Sequence, residues 1–247
     1  MPVYRDYFRR LYDQIEHVVS SEGAHIETAA SWMAASIASD GIVHLFGSGH
    51  SHMIAEEVFH RAGSLMPLNP MLDVNLTFLG SVNATLLERT PGYGRVVVGS
   101  HDIRPGEVVI VISNSGVNPV PIEVALEAKA LGAQTIAITS DENYRQAPSR
   151  HASGKRLAQV VDLTIDTLVP AGDALIEIPG NFARTGGVSS VIGISLINAI
   201  VAETADRLQK MGITPPIIPT MNLPGGDEAM EALLERYAAR LPLLKRA

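Results

Sequence analysis

Three features of the 247-residue chain predict an α/β fold with a mainly parallel sheet. Its apolar runs are continuous rather than alternating, two of them lead straight into small-residue loops, and helical patterns separate one run from the next. The run at 42–46 is followed at once by Gly47, Ser48, Gly49, His50 and Ser51, then by a helical pattern over 53–62. The arrangement recurs at 108–112, an unbroken β-branched run that leads into Ser113, Asn114, Ser115 and Gly116 and a helix over 119–131. Unbroken apolarity marks a strand covered on both faces. Pro119 suits the first helical position, Asn118 the N-cap before it, and Gly132 the stop. Residues 134–139 and 160–165 supply two further strands, and 174–178 a short one at a sheet edge. Strands alternating with helices imply right-handed crossovers.

Two helices are expected before the first strand. Tyr4, Phe8, Leu11, Ile15 and Val18 recur at spacings of four and three, and Ile26, Ala30, Met33 and Ile37 repeat the stripe. Residues 187–208 are apolar on nearly every side until Glu203, as in a helix buried in the core or at a subunit interface. The segment 213–224 carries four prolines and cannot be a regular helix. A last helix follows Gly225, Gly226 and Asp227, with Met230, Leu233, Leu234, Tyr237 and Leu241 on one face. The chain thus divides into a helical arm (1–40), a core (41–211) and a proline-rich tail with a terminal helix (212–247). Residues 75–105, helical near Leu86 to Arg89 and turn-like near Thr90 to Gly94, form a connection of the size found at active sites.

Composition narrows the function. Hydrophobic residues at 46% and charged residues at 18% exclude intrinsic disorder. A net charge of −7 leaves no diffuse basic field for nucleic acid or anionic lipid, so any anion must be held by local geometry. The absence of cysteine removes disulfides and thiolate chemistry. The first ten residues mix charge with aromatics, unlike a signal peptide, and no stretch reaches the roughly 18 apolar residues of a membrane span. A cytoplasmic protein is expected.

Both small-residue loops link the carboxyl end of an inferred parallel strand to a helix N-terminus, where open α/β sheets bind ligands. Unpaired helix N–H groups and a partial positive charge favour phosphate there, and the hydroxyls of Ser48, Ser51, Ser113 and Ser115 can donate to it without a lysine. Serine, asparagine and glycine are also ordinary turn and cap residues, so one such loop alone says little. Two, each after a buried strand, point to a ligand. The first loop lacks the third glycine of a dinucleotide fingerprint, and neither loop is a P-loop.

These residues resemble the sugar isomerase (SIS) domain. The resemblance lies in 47–51 with its helix, in Ser113, Asn114, Ser115, Gly116, Val117 and Asn118 with the helix they open, and in 136–140. It covers about residues 30–210. The layout is most similar to the phosphoheptose isomerase branch, and the tail from Asn222 to Asp227 to a poorly characterised bacterial SIS subgroup. The resemblance implies a three-layer, doubly wound, flavodoxin-like sandwich with a mainly parallel five-stranded sheet. It also implies a homodimer or homotetramer that binds a phosphorylated sugar. Its phosphate-contacting serines fall on Ser51, Ser113 and Ser115, with Asn118 where a threonine often sits and Gly49, His50 and Asn114 completing the loops.

Interconverting aldose and ketose phosphates needs a base for the proton beside the carbonyl and a donor for the developing enediolate. The helix after the first loop carries His52, Glu56 and His60 at spacings of four, which would share one face, with Glu57 beside them. By resemblance to the glutamate-bearing helix of phosphoheptose isomerases, Glu57 is favoured slightly over Glu56. The spacing equally allows plain surface pairs, Glu57 with Arg61 and Glu56 with His60. No cofactor or metal is expected, although His52 with Glu56, or Glu56 with His60, has a spacing that chelates zinc. The family pattern breaks on the late helix. Phosphoheptose isomerases carry a catalytic histidine there, whereas this chain has Ser189, Ser190, Ser195 and Asn198. His50, His101 and His151 lie in loops and could substitute. Asp173 and Asp227 read as turn or cap residues, the first alternatively reaching a sugar hydroxyl. The expected function is an aldose/ketose phosphate isomerase acting through an enediolate, with no nucleic acid or membrane partner. A non-catalytic sugar-phosphate sensor and a sugar-phosphate lyase are the alternatives.

Overall fold

The computed structural model of the chain describes residues 2–80 and 82–244. Five strands, β1 (Val43–Gly47), β2 (Leu68–Pro70), β3 (Val108–Ile112), β4 (Gln134–Thr139) and β5 (Leu163–Asp166), form a sheet in the order β2-β1-β3-β4-β5, with every pair parallel. Among the described residues there are eight α-helices. They are α1 (Val3–Ala38), α2 (His52–Glu57), α3 (Val82–Glu88), α4 (Tyr93–Gly99), α5 (Pro119–Ala130), α6 (Asp141–Tyr144), α7 (Ser189–Lys210) and α8 (Gly226–Tyr237). No described helix is long and apolar enough to cross a membrane.

The continuous apolarity of the strands has a direct structural cause. In β3, Val108, Ile110 and Ile112 face a layer made by α1, α2 and α7, while Val109 and Val111 face a layer containing α4 and α5. Side chains alternate across a strand, so covering both faces requires every position to be apolar. This is the three-layer, doubly wound sandwich.

Several elements differ from expectation. The two N-terminal helices are one 36-residue helix. No proline interrupts it, Gly23 has open space around it, and the apolar stripe stays in phase through Leu11, Val18, Ala29, Ala30, Met33 and Ile37, all buried against the core. That packing outweighs the roughly 1 kcal/mol a mid-helix glycine costs. Tyr4 and Phe8, at the start of the stripe, are exposed. The helix after the first loop stops at Glu57 instead of continuing to 62, because His60 takes φ +49° and Gly63 φ +86°. The turned chain is then held by the tail, with Gly63 N–H donating to the Ile218 carbonyl and Met66 N–H to that of Pro216. The strand expected at 160–165 starts at Leu163, after a 3-10 turn over Leu157–Gln159. The expected edge strand at 174–178 instead forms β6 (Ala174–Ile176), which pairs antiparallel with β7 (Thr185–Gly187) in a separate ribbon. The actual fifth strand is β2, three residues long and ending in proline, which its edge position tolerates.

A buried polar network pins the amino ends of β1 and β3. Glu107, just before β3, accepts from Ile42 N–H at 2.8 Å, Arg104 N–H at 2.9 Å, His44 Nε2 at 3.1 Å and Arg240 Nη1 at 2.5 Å. The Asn69 amide donates to Nδ1 of His44 at 2.9 Å and of His101 at 3.2 Å. Arg240 also reaches the Asp102 carboxylate, so the network clamps the C-terminal segment to the sheet. Burial raises the Glu107 pKa, but the His44, Arg240 and backbone bonds outweigh it and hold the group at about 2. Burial, aided by nearby His44, lowers His101 to about 4.

Both shifts carry the same sign in the pH dependence of stability. The unfolded chain binds the extra proton at His101 as pH falls from about 6.5 to 4, and at Glu107 from about 4.5 to 2, so stability falls with pH through both windows. Urea unfolding across this range should show His101→Gln flattening the upper window and Glu107→Gln the lower. At pH 7, Arg240→Met leaves Glu107 without its guanidinium and should cost roughly 2–4 kcal/mol.

Candidate functional site

The strand order makes the site. β1 and β3 are neighbours, paired Gly47 with Ile112 at their last residues, so their following loops emerge side by side. The helices they lead into leave on opposite faces, α2 with the α1/α7 layer and α5 with the α4 layer. Strands that diverge in this way open a crevice at their carboxyl ends.

In the first loop Gly47 is required sterically, because a Cβ there would run into the Ser51 backbone. Ser48 is buried, and its hydroxyl donates to Glu88 Oε1 at 2.8 Å. His52, also buried, is hydrogen-bonded through Nδ1 to the Gly49 carbonyl. Its ring lies 4.8 Å from that of Phe78, with exposed His50 at 6.3 Å from the same ring. In the second loop Gly116 has φ +62°, and a Cβ there would sit 3.0 Å from Thr139 Oγ1 and 3.3 Å from Leu157 Cβ. Ser113 Oγ accepts from Gly116 N–H at 3.3 Å, the Asn114 carbonyl accepts from Ser140 N–H at 2.9 Å, and Ser115 is half-buried.

The two loops share a small cavity of about 10 Å³, lined by Ser51, Asn114, Thr167 and Ser189 above Ile112 and Ile138. This is room for one water at most. Asn114 Oδ1 and Thr167 Oγ1 are buried without a hydrogen-bond partner. Such atoms cost roughly 1–3 kcal/mol each unless something supplies the missing bond. Ser189 is held by Asp173, which accepts from Ser189 N–H at 2.7 Å, Ser189 Oγ at 2.6 Å and Val188 N–H at 3.2 Å. Asp173 is therefore the cap of α7.

Helix N-termini contribute less than the sequence suggests. Six-residue α2 sums few peptide dipoles, and prolines at 119 and 121 remove two N–H groups from the first turn of α5. A cation stands there instead. Arg150 Nη1 donates to Asn118 Oδ1 at 2.8 Å, and the 150–157 segment clasps the loop through Arg150 N–H to the Val117 carbonyl and Leu157 N–H to that of Gly116, both at 2.8 Å. Arg156 pairs with Asp141, whereas Arg150 has no carboxylate partner among the described residues.

The expected acid/base cluster is not assembled on one helix face. Glu57 forms an ion pair with Arg61, the plain surface pairing its spacing allowed. His60 lies beyond the end of α2 in the turn, exposed. His52 and Glu56 do approach each other, Nε2 to Oε2 at 3.8 Å. Among the described residues no three His, Asp or Glu side chains gather as a metal site would require. His101 belongs to the network at the opposite edge, and His151 bonds Ser153 Oγ beside the basic clasp. On α7, Ser195 and Asn198 bond back to their own helix. Glu88, Arg150 and Thr167 escape a reading by motif. Their signals are faint: a short helical stretch in an irregular connection, a cluster of cations at 145–156 in an acidic chain, and one threonine after a strand.

Comparison with known proteins agrees with this architecture. The SIS domain profile matches residues 6–140. A UPF0309 protein of Geobacillus kaustophilus is 42% identical over 239 residues, covering 96% of this chain and 95% of that one. Among solved structures, a phosphoheptose isomerase from Francisella tularensis superposes with a TM-score of 0.55 at 15% identity, over 82% of this chain and 96% of that one. The NanR protein of Vibrio vulnificus, complexed with ManNAc-6P, gives a TM-score of 0.51 at 10% identity, over 99% and 70% of the two chains. At such identities these structures speak for the fold alone. A doubly wound sheet with two hydroxyl-bearing loops at its crevice, matched by the domain profile and by a relative along almost its whole length, makes this chain a member of the SIS domain family, among its UPF0309 proteins.

Proposed function

We propose that this protein binds a phosphorylated sugar at the carboxyl ends of β1 and β3 and interconverts aldose and ketose phosphates through an enediolate. The observation that carries the reading is that the two hydroxyl-bearing loops emerge side by side at the ends of β1 and β3, at an edge where two buried oxygens lack partners. One water in the small cavity can satisfy such atoms and bridge them to a sugar hydroxyl outside it. The phosphate is gripped by the hydroxyls of Ser51, Ser113 and Ser115 and by loop amides. Arg150, steadied on Asn118, adds a charge-assisted contact. This arrangement departs from a wholly neutral cradle, and both prolines of α5 explain why a cation is useful there. The SIS membership, the phosphoheptose isomerase neighbour and the neighbour complexed with ManNAc-6P support the substrate class.

Of the four acid/base candidates on and after α2, His52 stays at the first loop through its bond to Gly49, while Arg61 occupies Glu57 and the turn carries His60 away. The proposed chemistry calls for no cofactor. Self-association is part of the reading. The apolar groove between α1 and α7, lined by Ile15, Val19, Ile26, Ile192 and Leu196, lies on the same helix as exposed Tyr4, Phe8 and Tyr12 and fits a second copy of the chain. Dimer or tetramer masses in sedimentation velocity support this part, and a monomer excludes it.

Calorimetric titration with aldose and ketose 5-, 6- and 7-phosphates tests the binding. The double substitution Ser113→Ala, Ser115→Ala should weaken affinity by about 10- to 100-fold, and Arg150→Ala by about 10-fold, as expected for lost bonds to a charged group. Unphosphorylated sugars should not bind measurably. If the protein ignores every sugar phosphate, the proposal is wrong. If it binds one but never exchanges its C2 proton, the sensor reading replaces the isomerase.

A further inference from the structure

We infer that Glu88 is the carboxylate that moves the proton in the isomerisation proposed above, an assignment that rests on that reading. Glu88 ends α3 in the long connection between β2 and β3. Neighbouring Leu87 packs into the layer of α4 and α5, so Glu88 approaches the loops from the sheet face opposite α2. Ser48 Oγ donates to Glu88 Oε1 at 2.8 Å. Ser48 follows Gly47, whose strand partner Ile112 precedes Ser113. The carboxylate therefore stands where β1 and β3 end together.

Other carboxylates near this edge are committed or carried away. Asp173 caps α7 through three bonds, and Asp73 takes bonds from Asn75 and from the Tyr93 hydroxyl. Glu57 is paired with Arg61. Glu56 lies on a helix that leads away from the loops, because the chain after α2 enters β2 at Leu68, level with Val43 at the start of β1. Glu88 makes one hydrogen bond, to the first loop, and has no cationic partner among the described residues. Its second oxygen is uncommitted. One oxygen held and one open is the arrangement a general base needs.

In the step assigned to it, Glu88 takes the proton from the carbon beside the carbonyl. The C–H electron pair becomes the C=C bond of the enediolate, and the carbonyl π pair moves onto oxygen. The neighbouring hydroxyl passes its proton to the negatively charged enediolate oxygen and becomes the new carbonyl, while protonated Glu88 returns its proton to the carbon that was the carbonyl. Nothing is consumed, so no co-reactant is required.

The test compares wild type, Glu88→Gln and Glu88→Asp by solvent deuterium incorporation at C2 of the phosphorylated sugars named above, with calorimetric affinity and melting temperature measured in parallel. Glutamine keeps an acceptor for Ser48 and removes the base. Exchange should fall by about 10²-fold or more in Glu88→Gln, with affinity changed by less than about threefold and an unchanged melting temperature, while Glu88→Asp recovers part of the rate. Wild-type exchange with an undiminished rate in Glu88→Gln overturns the assignment and leaves the isomerase reading standing. Exchange and affinity lost together would make Glu88 a binding residue and also overturn it. A wild-type protein that binds sugar phosphates but exchanges none of them overturns the isomerase reading, and this assignment with it.

Discussion

The constraint from which the rest follows is that β1 and β3 are hydrogen-bonded neighbours whose outgoing helices pack on opposite faces of the sheet. A parallel pair in register delivers both loops to the same edge at the same height. Divergence of the helices leaves the space between those loops unfilled by either. The register of Gly47 with Ile112 puts Ser48 beside Ser113, and the unbroken apolarity of both strands is what allows layers on either face to hold that register. The site is thus a product of topology before it is a product of any single side chain.

The same two strands are treated differently at their two ends. At the amino edge, Glu107 gathers donors from Ile42, His44, Arg104 and Arg240 into a buried network that leaves the carboxylate well satisfied. At the carboxyl edge, Asn114 Oδ1 and Thr167 Oγ1 are left without partners. Satisfied polar groups rigidify, whereas unsatisfied ones create a demand that a ligand can meet. The contrast gives the amino edge a fastening role and is the ground on which the proposed binding is placed at the other. It also explains why the C-terminal segment matters to a sheet it does not join: Arg240 closes the network around Glu107.

Much of this was legible in the sequence, and the reasons are physical. Strands β3 and β4 were readable to the residue because every side chain after Gln134 in β4, and every one in β3, is buried on one face or the other. Both loops were readable because glycine and serine stand where the backbone must turn tightly after a strand. By contrast, β2 was invisible, since three residues including Asn69 and Pro70 have no periodicity. The unity of α1 was hidden because the apolar stripe lapses between Val18 and Ile26, a gap that the helix crosses unbroken. In the site, spacing alone put His52, Glu56 and His60 on one face, but the tail drew the chain into a turn after Glu57. Glu88 and Arg150 reach the loops from distant segments, and only the folded chain reveals such meetings.

The most direct measurement is a titration of isotopically labelled protein with a phosphorylated sugar, followed by backbone amide chemical shifts. If one ligand is shared by both loops, amides in 48–51 and in 113–118 shift together along a single saturation curve, while those around Glu107 at the opposite edge stay still. Shifts confined to one loop, or two loops saturating at different concentrations, would contradict the claim that β1 and β3 together build one site.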